Sequence, residues 1–407
     1  MHAQWDPAAV EVSLRRQAPA SAATSLAHAG IGLFLLGFFC ALVQLPLGMS
    51  AGAFGSHNEI MAVAHNLAVS GEFRDPFGTP TGYTAHVAPV YPFILAALIG
   101  VLRHPTLIAC GAMFLNACLL GFAAGMLPTL SQSIYARTAP GIAGGILLAL
   151  SSRLMPQWEA SLSAALLLAA AMAILDRGAV RAGLWSGVCL LANPVALPVL
   201  VLMVARRGWR FAAGVSLLAL SVCAPWCLRN WIVIGAPYFV RDNLGLELYI
   251  SNNDQAAPQM MRNASLWTQH PSQNPREAEL VAAMGEGPYN RMRLHNALDW
   301  MASHASRSLQ LALGRMRDYW FPDPDEGWAS YCVCIITILS AVGAYIGRRN
   351  RKSALLAIAT VVYSLPFLLL QTADRYRAPC LWMSALLAGY SLDGMTFFRQ
   401  GQPRLRS

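Results

Sequence analysis

The feature that most constrains this chain is a repeated block of apolar residues about as long as a helix needs to cross a hydrocarbon core of roughly 30 Å. The block recurs from Leu26 to Leu47, again from Phe211 to Trp231, and several more times between and beyond. Lipid offers a backbone no hydrogen-bond partners, so such blocks must pair their own amides and carbonyls, which predicts helices. Composition agrees: 56% of the 407 residues are hydrophobic and only 12% are charged, about half the charged fraction of a soluble domain. The expected fold is therefore an all-α polytopic membrane protein of about ten transmembrane helices with extracytoplasmic loops.

Spans are predicted near 27–47, 88–102, 107–127, 139–152, 159–175, 182–204, 211–232, 328–346, 353–370 and 378–395. Arg15 and Arg16 precede the first run, and Ala51, Gly52 and Ala53 follow it, as in a signal peptide. The run is longer than the usual signal core of about 7 to 15 residues and is expected to be a retained first span. Placing Arg15 and Arg16 in the cytoplasm brings Arg206, Arg207 and Arg210, the group from Arg348 to Lys352, and the group from Arg399 to Arg406 to the same side. That satisfies the positive-inside rule. The resulting division is a cytoplasmic tail at 1–26, an integral membrane domain at 27–395 with outer loops at 48–87 and 233–327, and a second tail at 396–407. The predicted location is a bacterial inner membrane, crossed many times, with the working face toward the periplasm or exterior.

The net charge of +9 does not point to nucleic acid, because the arginines lie in short groups between apolar blocks rather than on a basic face interleaved with aromatics. Nine cysteines fall almost entirely inside apolar blocks, and neither a disulfide framework nor a zinc spacing is visible. They are expected to be small buried residues.

Chemistry is expected in the outer polar segments. The first holds Ser56-His57-Asn58-Glu59 before an apolar-periodic run and Gly71-Glu72-Phe73-Arg74-Asp75 after it. A short helix at the membrane surface is predicted, with Glu59 in its first turn. A carboxylate there is favoured by the helix N-terminus alone. As a general base it would gain from partial desolvation, which would bring its pKa toward neutral. Glu72, Asp75, His57, His65 and His86 are the other bases of this segment. His86 and Tyr91 flank two prolines at the next membrane entry and could bind substrate or anchor the interface. Arg229 and Arg241, followed by Asn243 and Glu247, break the positive-inside bias, as do Arg375 and Arg377 around Tyr376. Guanidinium groups suit a lipid phosphate at that depth, the alternative being snorkelling arginines paired with Asp242 or Glu247.

Five segments, Glu59–Phe77, Thr84–Pro92, Pro225–Asn253, His270–Tyr289 and Arg375–Pro379, together resemble a bacterial branch of the polyprenol-phosphate-sugar glycosyltransferases with the GT-C fold. That branch is related to the protein mannosyltransferases of glycosyltransferase family 39. Pro-Trp-x-x-Arg-Asn at 225–230 followed by Arg-Asp-Asn-x-Gly-x-Glu-Leu at 241–248 is the most specific part. The resemblance implies a GT-C-like bundle, a polyprenyl-phosphate-linked sugar donor, and inverting transfer to an acceptor hydroxyl at the outer membrane face. The acceptor is a glycan, lipid or protein of unspecified kind. A first-loop carboxylate deprotonates that hydroxyl. The family's Asp-Glu pair reads Asn58-Glu59 here, so the first acid is missing: either Glu59 takes the catalytic role or the activity is changed or lost. Trp158-Glu159 matches a further acid position, although the span count above puts Glu159 on the cytoplasmic side. Arg229, Arg241, Arg375 and Arg377 would surround the donor phosphate, with His86, Tyr91, Asn243, Glu247 and Tyr376 nearby. No cofactor is certain, and a divalent metal is left open. The competing expectation is a transporter or lipid-handling protein without catalysis, which would place ionisable residues at mid-membrane.

Overall fold

The computed structural model describes residues 7–44, 58–151, 158–323 and 327–400, and side chains from 23 to 394 within those ranges. His57 lies outside the described residues. The described chain is all-α, with isolated β-bridges between loops and no strand. Stretches of Ala23–Leu42, Pro105–Tyr135, Trp209–Ile234, Trp328–Arg349 and Arg351–Leu368 are helices long and apolar enough to cross a membrane. The protein is thus multi-pass.

Helix α1 (Pro7–Leu42) is followed by α2 (Glu59–Ser70), α3 (Val90–Leu102) and α4 (Pro105–Tyr135). α1 and α4 run antiparallel in close contact: Gly30 meets Gly125 and Gly37 meets Gly121, and a Cβ on Gly121 would come within 2.7 Å of the Phe34 carbonyl oxygen. Small residues let the two backbones approach where lipid provides no hydrophobic drive for association. α3 does not cross the bundle, contrary to the span predicted at 88–102. It folds back along the first turns of α4, with the Asn116 amide donating to the Tyr91 hydroxyl at 2.7 Å and Gly111 against Leu102.

α5 (Ala139–Ser151) returns along α4, and α6 (Ala160–Leu175) descends again. The span predicted at 182–204 is a hairpin of two half-length helices, α7 (Ala179–Ala192) and α8 (Leu197–Ala205). Asn193 breaks them apart in an extended conformation and caps a 3-10 turn that starts at Pro194. Proline cannot continue the hydrogen-bond ladder of α7. Arg207, just past α8, donates to the Leu175 carbonyl at 3.0 Å, so the hairpin opens and closes at the same end of the bundle. Each overcounted span reverses the direction of everything after it, and the two reversals cancel. Between them the direction is inverted, which moves Glu159 to the end that carries α2 and α3.

α9 (Trp209–Ile234) leads to a layer outside the bundle: α10 (Leu244–Ser251), α11 (Ala264–Gln269), α12 (Pro275–Met284), α13 (Glu286–Ser303) and the amphipathic α14 (Ala305–Trp320). α15 (Trp328–Ile346), α16 (Arg351–Ser364) and α17 (Asp374–Gln400) complete the bundle. Gly144 and Gly389 bring α5 against α17, and Gly343 brings α15 against it. The largest buried cluster, including Trp382, Leu167, Leu168 and Tyr363, lies among these helices.

Candidate functional site

The site begins with the cap of α2. Asn58 takes the N-cap position, and its side-chain oxygen accepts from the Met61 amide at 3.0 Å. An amide oxygen caps a helix as well as a carboxylate does, so Asn58 has a structural part that needs no acid. Glu59 follows directly and is not at the surface: it is 8% exposed. Its Oε2 lies 3.2 Å from His86 Nε2 and its Oε1 lies 3.1 Å from His270 Nε2. Phe77 covers the two imidazoles edge-on, with centroids at 4.9 and 5.8 Å.

His86 is held by a clamp on residues 84–86. Arg229 donates to the Thr84 carbonyl at 2.6 Å, Arg241 Nε donates to the His86 carbonyl at 2.8 Å, and the Ala85 carbonyl accepts from the Asp242 amide at 3.1 Å. Glu286, at the start of α13, accepts from the Thr84 hydroxyl and from the Ala85 amide. His270 Nδ1 accepts from the Ser272 amide at 3.1 Å. That bond leaves the ring proton on Nε2, where it points at Glu59.

Burial alone would raise the Glu59 pKa, but His86, His270 and Arg241 outweigh it and lower the pKa to about 2. The expectation of a carboxylate drawn toward neutrality is therefore reversed, because the burying groups are themselves cationic or hydrogen-bond donors. Burial works to lower the pKa of His86, yet the Glu59 carboxylate prevails and raises it. For His270 burial prevails over Glu59, and its pKa is lowered. Glu59 thus draws His86 toward its charged form, while burial holds His270 toward its neutral one.

These three residues are also a metal-capable set. One oxygen and two imidazole nitrogens lie within 4.8 Å of one another, all buried, and two histidines with a glutamate are a zinc donor set that leaves a coordination position open. The set fits a divalent ion on two conditions, the first being that His86 Nε2, which faces Glu59, carries no proton. The second is that the His270 proton moves to Nδ1, where the Ser272 hydroxyl, 2.7 Å away, can receive it.

Around this centre, Arg241 Nη1 lies 4.0 Å from Glu159 Oε1. Glu159 Oε2 is buried and has no hydrogen-bond partner among the described residues. Asn243 donates to Glu247 at 3.3 Å, and the Glu247 charge reaches His270 and Tyr376. Arg375 lies over the Trp158 ring, 3.7 Å from its centroid, and donates to the Tyr376 hydroxyl at 3.3 Å. Tyr91 is within reach of the Glu159 charge. Glu59, His86, Tyr91, Glu159, Arg241, Asn243, Glu247, Arg375 and Tyr376 therefore form one group.

Two arginines stand apart. Arg229 also donates to the Phe73 carbonyl at 2.9 Å and packs on Phe73 and Trp226, so it ties the first polar segment to α9. Arg377 turns away, its Nη1 donating to the carbonyls of Tyr319 and Trp320. Of the alternative bases, Asp75 accepts from the Thr81 and Gly82 amides at 2.7 Å and pairs with Arg74, while Glu72 pairs with Arg74 and accepts from Tyr83. His65 is exposed. None of the three touches Glu59. Asp242 is pushed up to about 9 by burial and by the facing Glu286 carboxylate, so this pair retains a proton.

His270, Glu286 and Trp158 were not singled out from sequence as site residues. His270 meets His86 from a segment far along the chain, and no spacing could have joined them.

No protein-family model matches the sequence, and no curated protein matches it. Among solved structures, the chain is similar to the archaeal oligosaccharyltransferase AglB from Archaeoglobus fulgidus in complex with an inhibitory peptide and a dolichol-phosphate. The TM-score is 0.47 at 12% identity, covering 93% of this chain and 52% of that one. The apo form of the Archaeoglobus fulgidus oligosaccharyltransferase gives 0.48 at 12% identity, covering 91% and 51%. The chain spans about half the length of these two structures.

Proposed function

We propose that the chain is an inverting glycosyltransferase that moves a sugar from a polyprenyl-phosphate donor to an acceptor hydroxyl at the extracytoplasmic membrane face. The observation that carries this reading is the Glu59–His86–His270 centre flanked by Arg241 and Glu159 at one end of a membrane bundle. A transporter would concentrate such residues at mid-bundle. Here they sit where the outer layer of helices closes over the bundle, an arrangement that suits a lipid phosphate held at a membrane face.

Arg241 and Arg375 supply positive charge to the donor phosphate, and Tyr376, Asn243 and Glu247 line the space for the sugar. Glu59, held near pKa 2, accepts a proton only reluctantly at neutral pH, so its part is to orient both imidazoles. Glu159, with Oε2 unpartnered among the described residues, takes the proton of the acceptor hydroxyl. The acceptor oxygen attacks the anomeric carbon, the bond from that carbon to the phosphate oxygen breaks, and the electron pair leaves on polyprenyl phosphate. A divalent ion held by Glu59, His86 and His270 would add Lewis-acid stabilisation of the leaving phosphate.

The test is transfer by purified protein from a panel of polyprenyl-phosphate sugars. Wild type should transfer from at least one, and failure with all of them in an active membrane preparation sinks the reading. Glu159→Gln should lower turnover by roughly 10² to 10⁴, the usual contribution of a general base, with donor retention unchanged. Glu59→Gln should lose turnover together with bound divalent metal. Normal turnover in Glu159→Gln, with loss only in Glu59→Gln, would return the base role to Glu59.

A further inference from the structure

A cavity of about 360 Å³ opens beside the proposed transfer site, between α5, α6, α15 and α17 and under the end of α14. Its depth is apolar, with Leu120, Leu148, Val333 and Leu381 among its walls. The same walls contain three buried side chains with hydrogen-bonding atoms that have no partner among the described residues. They are Nε and Nη2 of Arg377, Nε1 of Trp382 and Oγ of Ser330. These residues are 4%, 0% and 2% exposed.

Arg377 is fixed along one edge only. Its Nη1 is fixed by the Tyr319 and Trp320 carbonyls, and its plane lies over the Trp320 ring, 4.9 Å from the centroid. The edge formed by Nε and Nη2 is the forked edge of a guanidinium, which matches two oxygens of one carboxylate or phosphate. Leaving charged donors buried without partners is unfavourable, and an oxyanion would remove that cost. Three acids line the cavity, of which Asp318 pairs with Arg317 and Asp323 with Arg262, while Asp374 adds a third carboxylate beside Arg375. Arg375 also lines the cavity.

We infer that this cavity is a second anion site, adjoining the proposed transfer site at Arg375, which takes the phosphate head of a phosphate-bearing lipid on Arg377, Trp382 and Ser330. The first carbons of the chain lie against the apolar walls. A head alone would leave those walls wet, and a chain alone would leave the guanidinium unpaired. Both a prenyl phosphate and an anionic glycerophospholipid have this chemistry, and the site does not depend on the glycosyl-transfer reading.

The experiment is native mass spectrometry of the purified full chain titrated with decaprenyl phosphate, phosphatidylglycerol or inorganic phosphate, with thermal shift as a second readout. One of the two lipids should bind and raise the melting temperature, and inorganic phosphate should not. Arg377→Lys keeps the charge but loses the fork, and should weaken that binding at least tenfold. Trp382→Phe and Ser330→Ala keep the shape and should weaken it about threefold each. These two milder variants keep the test decisive if Arg377→Lys fails to fold. Whichever lipid shows this dependence is the source. Binding of neither lipid, or binding unchanged in Trp382→Phe and Ser330→Ala, would overturn the inference. Decaprenyl phosphate binding that is lost in Arg241→Gln but unchanged in Trp382→Phe and Ser330→Ala would put the lipid at the transfer site and overturn the inference, whereas binding retained in Arg241→Gln supports a separate site.

Discussion

At the scale of single residues, the acid pair Asp242 and Glu286 illustrates how a buried site trades stability for position. Glu286 accepts two hydrogen bonds that fix the segment before His86, and Asp242 is placed against it. The folded Asp242 holds its proton up to about pH 9, whereas in the unfolded chain it ionises near pH 4. Between those values unfolding releases a proton, so stability falls as pH rises through that window. Asp242→Asn removes the titration. The variant should melt higher than wild type at pH 8, with the difference shrinking toward pH 5, as calorimetry in detergent can measure. An unchanged difference across that range would exclude the shared proton.

At the scale of elements, the clamp between α9 and the first polar segment is what makes the site rigid. Arg229 makes hydrogen bonds to Thr84, Phe73 and Asn230 at 2.6, 2.9 and 3.1 Å. It is therefore a tether, and in the proposed reading the phosphate role falls to Arg241 and Arg375. Arg229→Gln should destabilise the fold by about 2 to 4 kcal/mol, allowing for partial exposure. Donor affinity in the folded fraction should stay near wild type; a selective loss of donor affinity at unchanged melting temperature would restore the phosphate role. The α10–α13 contact is similarly demanding. A Cβ on Gly245 would collide with the Asn290 carbonyl, so Gly245→Ala should reduce folded yield.

At the scale of the whole molecule, α3 and the α7–α8 hairpin leave Glu159 at the same end as residues 58–89 and 235–323, opposite the basic groups around Arg207 and Arg349. Cysteines placed at Thr79, Ala160 and Ser272 of a cysteine-free background should all react with an impermeant thiol reagent in intact cells. One at Arg349 should react only after lysis. Labelling of Thr79 and Ser272 with protection of Ala160 would restore the original span order.

The sequence by itself determined that the chain is helical and membrane-embedded, because apolar length and backbone pairing in lipid admit little else. It also determined the helix at Glu59 and the odd placement of Arg229, Arg241, Arg375 and Arg377. Only tertiary structure decided how those arginines divide among a tether, a site and an adjoining cavity, since each role depends on which carbonyls and rings come near. It also decided the pairing of Glu59 with His270, because ligands drawn from segments about two hundred residues apart carry no shared spacing. The direction of the chain between α3 and α8 was hidden for a related reason. A half-length apolar helix and a full span look alike in hydropathy, and what separates them is where the next helix packs.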